Sequence, residues 1–231
     1  MLEYMIIETL TPQQQAQARI YQQKWQMMAY ETTSITATTA QQTLIDLAQI
    51  LKIPTPQQTC VLDSPFALFR QTPADLAQHQ QIMTAIGSLV DRLSSQVKRQ
   101  MAVGPWVQLW QSLAIQTLDP IEDALWLQIQ DDAEKQEQLI ASVKLEGKRH
   151  FIARLDFCIN ELGCACDRAT WSAVECWAKD CGFLRWVGDR YEVSDRPQIL
   201  VFGDHGQLHG IEEPAIVYRD GSKVYSNGQW S

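Results

Sequence analysis

From Gly182 onward the hydrophobic period changes from helical to alternating, and the alternation is cut by Gly-containing turn dipeptides. Leu184 and Trp186 precede Gly188-Asp189, and Tyr191 and Val193 follow it. Ile199 to Phe202 runs into Gly203 to Gly206, Ile216 to Tyr218 into Asp220-Gly221, and Val224-Tyr225 into Asn227-Gly228. A tight type I′ hairpin turn needs positive φ at both central residues, which Gly, Asn and Asp tolerate best. A chain punctuated in this way folds back on itself as an antiparallel β-meander. Everything before it carries helical periods, so the expected class is α+β. A mainly helical body, residues 1–182 with a short strand near 59–62, carries a C-terminal meander at 183–231, packed as one structural unit.

The helical body has legible starts and stops. Thr11, Pro12 and Gln14 form a capping-box start, and Ala18, Tyr21, Trp25 and Met28 recur on one face. The Thr-rich stretch Glu31 to Thr39 favours turns and extended chain. Thr39 with Gln42 repeats the capping pattern before Leu44, Leu47, Ala48 and Leu51. Thr59 to Leu62 is short, apolar and β-prone, and Asp63-Ser64-Pro65 both ends it and caps a helix through Phe66 to Phe69. Residues 73–101 form a long amphipathic helix, broken by Gly104-Pro105. Asp119-Pro120-Ile121-Glu122 starts another helix, and the polar run Gln130 to Gln138 reads as a solvated face or a loop. Residues 150–162 return to a helical period, and Thr170 starts the helix carrying Val174 and Trp177.

Composition removes several function classes. Hydrophobic residues make up 45% and charged residues 20%, which suits a packed core. The net charge of −8 opposes a generic phosphate-backbone binder, so nucleic acid is not an expected partner. The densest basic stretch, Lys144, Lys148, Arg149, His150 and Arg154, reads as a solvated face. The eight tryptophans read as core packing ahead of a stacking platform for bases or sugars. No signal peptide is expected in MLEYMIIETLTPQQQ, and no apolar run reaches membrane-spanning length. The cytoplasm is the expected compartment, with the six cysteines reduced.

The tail carries a further pattern. Ser194-Asp195-Arg196-Pro197 is followed by Asp204, Gly206-Gln207-Leu208-His209, Pro214-Ala215, Tyr218-Arg219-Asp220-Gly221 and Val224-Tyr225. This resembles the end of a bacterial family catalogued as a domain of unknown function, whose members read S-(D/E)-R-P, D-x-x-G-x-L-H, G-P-A and D-G-x-x-V-Y. Leu10-Thr11 with Trp25 is similar to that family's opening helix. Ile53-Pro54 with Asp63-Ser64-Pro65 resembles its second signature, and Phe151 to Phe157 is similar to the helix before its meander. Glu213 stands where the family has the glycine of G-P-A, and this chain ends at Gln229-Trp230-Ser231 where relatives continue. The resemblance implies no activity, substrate or cofactor.

Chemistry-bearing clusters are few. Cys158, Cys164, Cys166, Cys176 and Cys181 lack the paired spacing of a structural zinc site and read as small buried hydrophobes. His205 and His209, with three residues between them and Asp204 alongside, flank a Gly turn and so lose the geometry that this spacing has on a helix. There is no nucleophile elbow, P-loop, dinucleotide fingerprint or H-E-x-x-H. Asp195-Arg196-Pro197 reads as a salt bridge pinning the meander to the helices, with a carboxylate clamp as the alternative. The expectation is a non-enzymatic interaction or accessory protein with no cofactor, no metal and no catalytic residue. Its partner would be another protein, added as a strand at an open edge near Tyr218 to Tyr225, because three residues follow Asn227-Gly228. The alternative is a small-molecule or metal-dependent enzyme with a site between meander and helices. The candidate binding residues under either reading are Asp63, Arg196, Asp204, His209 and Asp220.

Overall fold

The fold is seen in a computed structural model that describes residues 6–70, 76–114, 119–149, 151–203, 208–210 and 212–225. It is α+β, with the helices mainly in the N-terminal part and small sheets toward the C-terminus. Helix α1 (Pro12–Ala29) starts where Thr11 and Gln14 exchange side chain-to-backbone bonds of 2.9 and 3.2 Å, the reciprocal cap that satisfies two end donors. Helix α2 (Ala37–Leu51) starts one cap earlier than expected. Thr36 takes the Thr39 amide at 3.1 Å, while the Thr39 hydroxyl is engaged with that of Thr36 and Gln42 donates to Asp46. Strand β1 (Gln58–Leu62) then leads into the short α3 (Pro65–Leu68), which Ser64 caps as expected.

Helices α4 (Leu76–Lys98), α5 (Val103–Ser112), α6 (Asp119–Ile129) and α7 (Ala133–Arg149) follow. Gly104-Pro105, expected as a break, lies in the first turn of α5, where a proline costs no helical hydrogen bond. The polar run Gln130 to Gln138 is largely the expected solvated face, on a helix, and is corrected at Gln138. Asp132 accepts from the Lys135 amide to open α7 at residue 133, and Gln138 is buried beside Leu139. Helix α8 (Ile152–Asp156) widens into a π turn (Phe157–Glu161), and α9 (Arg168–Asp180) is capped by Asp167, three residues before the expected Thr170. Among the described residues, no helix is long and apolar enough to cross a membrane.

The antiparallel tail is divided between two three-stranded sheets. Strands β2 (Leu184–Val187) and β3 (Arg190–Ser194) form the expected hairpin around Gly188, whose φ of 63° needs glycine. β1 joins β3 in parallel, with Leu62 opposite Ser194, so a strand from the helical part completes the first sheet. The second sheet runs β4 (Ile199–Leu200), β5 (Ile216–Val217) and β6 (Lys223–Val224), with Gly221 at φ 85° in its turn. Asn227-Gly228 and residues 204–206 of the other expected turn lie outside the described residues.

Each sheet closes its own core. The first buries Trp186, Tyr191 and Val193 against Leu44, Ile86 and Trp177 of α2, α4 and α9. The second buries Ala215, Ile216, Tyr218 and Val224 against Phe66, Phe69, Ile121 and Leu125. The Phe66 and Tyr218 rings meet edge to face at 6.1 Å.

Candidate functional site

Three segments of the sequence meet where β1 and β3 end. The first sheet places Asp195 there, because its amide continues the parallel ladder and donates to the Leu62 carbonyl at 2.6 Å. The Asp195 carboxylate is buried and fully used. Its Oδ1 accepts from the amides of Ile35 at 2.7 Å and Arg196 at 2.8 Å. Its Oδ2 accepts from the Ser34 hydroxyl at 2.5 Å and from Arg219 Nη1 at 2.8 Å. A carboxylate offers about four lone-pair sites, and here each has a donor.

The two arginines extend this junction along the backbone of the Thr-rich loop. Arg196 Nη1 donates to the Thr33 carbonyl at 3.1 Å, and its Nη2 donates to the Lys179 carbonyl at the end of α9. Arg219 donates to the Arg196 carbonyl at 3.0 Å and to the Thr32 carbonyl at 3.2 Å. The pin expected from Asp195-Arg196 therefore exists, but its ion pair is Asp195 with Arg219. Arg196, two residues past β3, instead binds carbonyls of the Thr-rich loop and of the end of α9.

Next along the chain, Asp220 takes the Ser64 hydroxyl at 2.7 Å, the Ser222 amide at 3.0 Å and Arg70 Nη2 at 3.2 Å. Ser64 Oγ in turn accepts from the Ala67 amide, so one hydroxyl caps α3 and ties the last hairpin to it. Burial pushes the Asp220 carboxyl up, but the bonds from Ser64 and Ser222, with the Arg70 charge, outweigh it and hold the carboxyl below its usual value.

Among the five expected binding residues, Arg196 and Asp220 belong to this junction. Asp63 is exposed and contributes nothing to it. His209 is also exposed and bonds through its backbone amide to the Val201 carbonyl at 3.0 Å. Asp204 and His205 lie outside the described residues. Asp195, Arg219, Ser34 and Ser64 complete the cluster without having been singled out as binding residues. The repeated Asp/Arg dipeptides at 195–196 and 219–220 were the available signal.

β6 (Lys223–Val224) is an end strand of the second sheet among the described residues, which places an edge within the expected span Tyr218 to Tyr225. Tyr218 and Val224 are buried against α3 and α6, and the exposed residue of β6 is Lys223, a charge that discourages strand pairing. The apolar exposure lies at the opposite end of the sheet. Ile199, Val201 and Phe202 are 48%, 39% and 39% exposed on and beside β4, whose ladder partner among the described residues is β5. Just past β4, Val201 accepts from the His209 amide, Phe202 bridges to Leu208, and the Phe202 ring packs on Tyr30 at 4.5 Å.

The basic stretch is corrected at Arg154, which is buried and has no acid partner among the described residues. Trp110 lies over its guanidinium at 3.9 Å, with Trp106 and Phe151 at 5.2 and 5.4 Å. Trp25, Trp171, Trp177 and Trp186 are core residues as expected, whereas Trp110 and Trp126 reach the surface.

Cys158 and Cys164 are buried neighbours, joined by the Cys164 amide to the Cys158 carbonyl at 2.9 Å. The hydrogen bond between their thiols raises Cys158, with burial adding to it, and lowers Cys164 against the opposing effect of burial. Among the described residues, no group of three or more His, Cys, Asp or Glu side chains is placed to share a metal ion. No protein-family model, curated protein or solved structure matches the chain.

Proposed function

We propose that this chain is a non-enzymatic interaction protein that recruits another protein through the β4 end of its C-terminal sheet. One observation carries the reading: Ile199 on the end strand β4 and Val201 just past it hold apolar side chains 48% and 39% exposed. An end strand with exposed apolar side chains is a template for strand addition. Lys223 disfavours the same event at β6, which selects β4. The junction beneath the sheet supports this reading over an enzyme at the same place. The Asp195 lone pairs are filled by the protein's own donors, which leaves that carboxylate no capacity for a substrate or a metal.

The resemblance to the bacterial family of unknown function belongs to the same proposal. It is supported by the way Asp63-Ser64-Pro65, Ser194-Asp195-Arg196-Pro197 and Tyr218-Arg219-Asp220-Gly221 meet at one place through Ser64, Asp195, Arg219 and Asp220. Motif residues brought together in this way act first as the fastening of the sheet. Truncation before Pro197 would remove Arg219 and strip the cover from Phe66, so surface substitution is the cleaner test. Paired affinity capture compares the intact chain with the Ile199→Glu/Val201→Glu double variant. A partner held by the first and lost by the second, with thermal stability unchanged, is expected. Equal recovery by both baits would sink the proposal.

A further inference from the structure

Arg154 keeps 3% of its surface exposed, and neither Nε nor Nη1 has a hydrogen-bond partner. Burial lowers its pKa only to about 10, so the guanidinium is charged at neutral pH. Aromatic faces offset part of the desolvation of a cation, but they accept no N–H in the way an oxygen does. The nearby acid, Asp156, is already committed to Lys24 at 2.7 Å and to the Trp25 indole at 2.8 Å. A buried positive charge with unfilled donors is therefore walled by Trp106, Trp110 and Phe151.

The wall has an outward side. Val103, Val107 and Trp110 recur at i, i+4 and i+7 on α5 and are 77%, 49% and 49% exposed. Trp110 thus belongs to two surfaces at once, the cover over the cation and the apolar stripe in solvent. An oxyanion seated on Arg154 would leave its attached group lying on that stripe. Phosphate is the more heavily hydrated choice and loses more on entering an aromatic cage, whereas a planar carboxylate matches the guanidinium fork at a lower desolvation cost.

We propose that Arg154 and Trp110 form a binding site for an organic carboxylate with an apolar body, the carboxylate on the free guanidinium N–H groups and the body along Trp110 and Val107. Trp110 is the cover that shifts to admit it. This site is independent of the β4 reading and stands or falls without it.

Benzoate is the probe, with neutral benzamide and inorganic phosphate as controls. The reporters are the indole N–H resonances of Trp106 and Trp110 in isotope-labelled protein. Benzoate is expected to shift both saturably, while benzamide and phosphate leave them in place. Arg154→Gln is expected to abolish the response. Val107→Glu, which sets a competing carboxylate at an exposed rim position, is expected to weaken it at least about tenfold. If Arg154→Gln does not fold, Val107→Glu decides alone. No benzoate shift, a benzamide or phosphate response equal to that of benzoate, or a benzoate response that survives either variant would overturn the proposal.

Discussion

Arg219 Nη1 stands 2.8 Å from Asp195 Oδ2, which ties the last hairpin of the tail to the carboxylate that also holds Ser34 and Ile35 at the entrance to α2. One acidic side chain thereby joins three parts of the chain that are far apart in sequence. The bond matters more than a surface ion pair because Asp195 is buried, and a buried carboxylate stripped of a donor keeps its desolvation cost.

Asp195→Asn should therefore lower stability by about 2–4 kcal/mol, since two amides, a hydroxyl and a guanidinium lose a charged acceptor. Arg219→Gln, at a more exposed position, should cost about 1 kcal/mol. Urea unfolding of the two single variants and the double variant should give a coupling of about 1 kcal/mol. Additive losses would mean that the pair does not act as one fastening.

Gly182 precedes β2, and a Cβ there would lie 2.2 Å from the Ser194 carbonyl oxygen and 2.4 Å from its hydroxyl. That approach is fixed from both sides, because Phe183 accepts from the Ser194 amide at 2.8 Å and donates to the Ser194 hydroxyl at 2.8 Å. Gly182→Ala should cost about 2–3 kcal/mol by pushing the first sheet apart. Gly104→Ala, with nothing within 4 Å of its Cβ, is the control and should be neutral or mildly stabilising in thermal melts.

His79 is buried on α4 with Nδ1 accepting from the Trp186 amide at 3.3 Å. Burial, aided by the Arg185 charge, lowers its pKa to about 4. A histidine depressed in the folded state is protonated first in the unfolded one. Its contribution is therefore complete above the unfolded value and lost as pH falls from about 6.5 toward about 4. Denaturant midpoints should show a loss of about 2 kcal/mol between about pH 7 and pH 5 from this residue. His79→Leu should be less stable at neutral pH and show a flatter slope across that interval.

Ser64 caps α3 and also donates to Asp220, so Ser64→Ala should cost about 1–2 kcal/mol. It should also raise the Asp220 titration seen by carboxyl NMR, because a hydrogen bond to the charged form is gone. A depressed carboxyl stabilises above its unfolded pKa and loses that contribution as pH falls through the folded one. The variant should therefore lose less on acidification than the parent chain. An unmoved Asp220 titration would mean that the Ser64 bond is not made in solution.

Features governed by local chemistry were legible in the sequence. The Thr11 capping box, the Ser64 cap and the hairpin at Gly188 each depend on residues within a few positions of one another. Thr39 misled because Thr36 offers the same hydroxyl three residues earlier, and local pattern does not choose between two equivalent caps. The parallel pairing of β1 with β3 was not legible, since register over so long a separation is set by packing. For the same reason Arg154 read as part of a charged surface. Its burial depends on where α5 lays Trp106 and Trp110, which no spacing around residue 154 reports. At the junction, Asp195 and Asp220 could be named as polar, but their partners on α3 and in the Thr-rich loop could not be paired in advance.

Hydrogen exchange of the chain with and without its captured partner tests recruitment at β4 most directly. The expected result is slowed exchange confined to peptides covering residues 198–202, with the Asp195 junction unchanged. Protection elsewhere, with 198–202 exchanging as in the free chain, would contradict it.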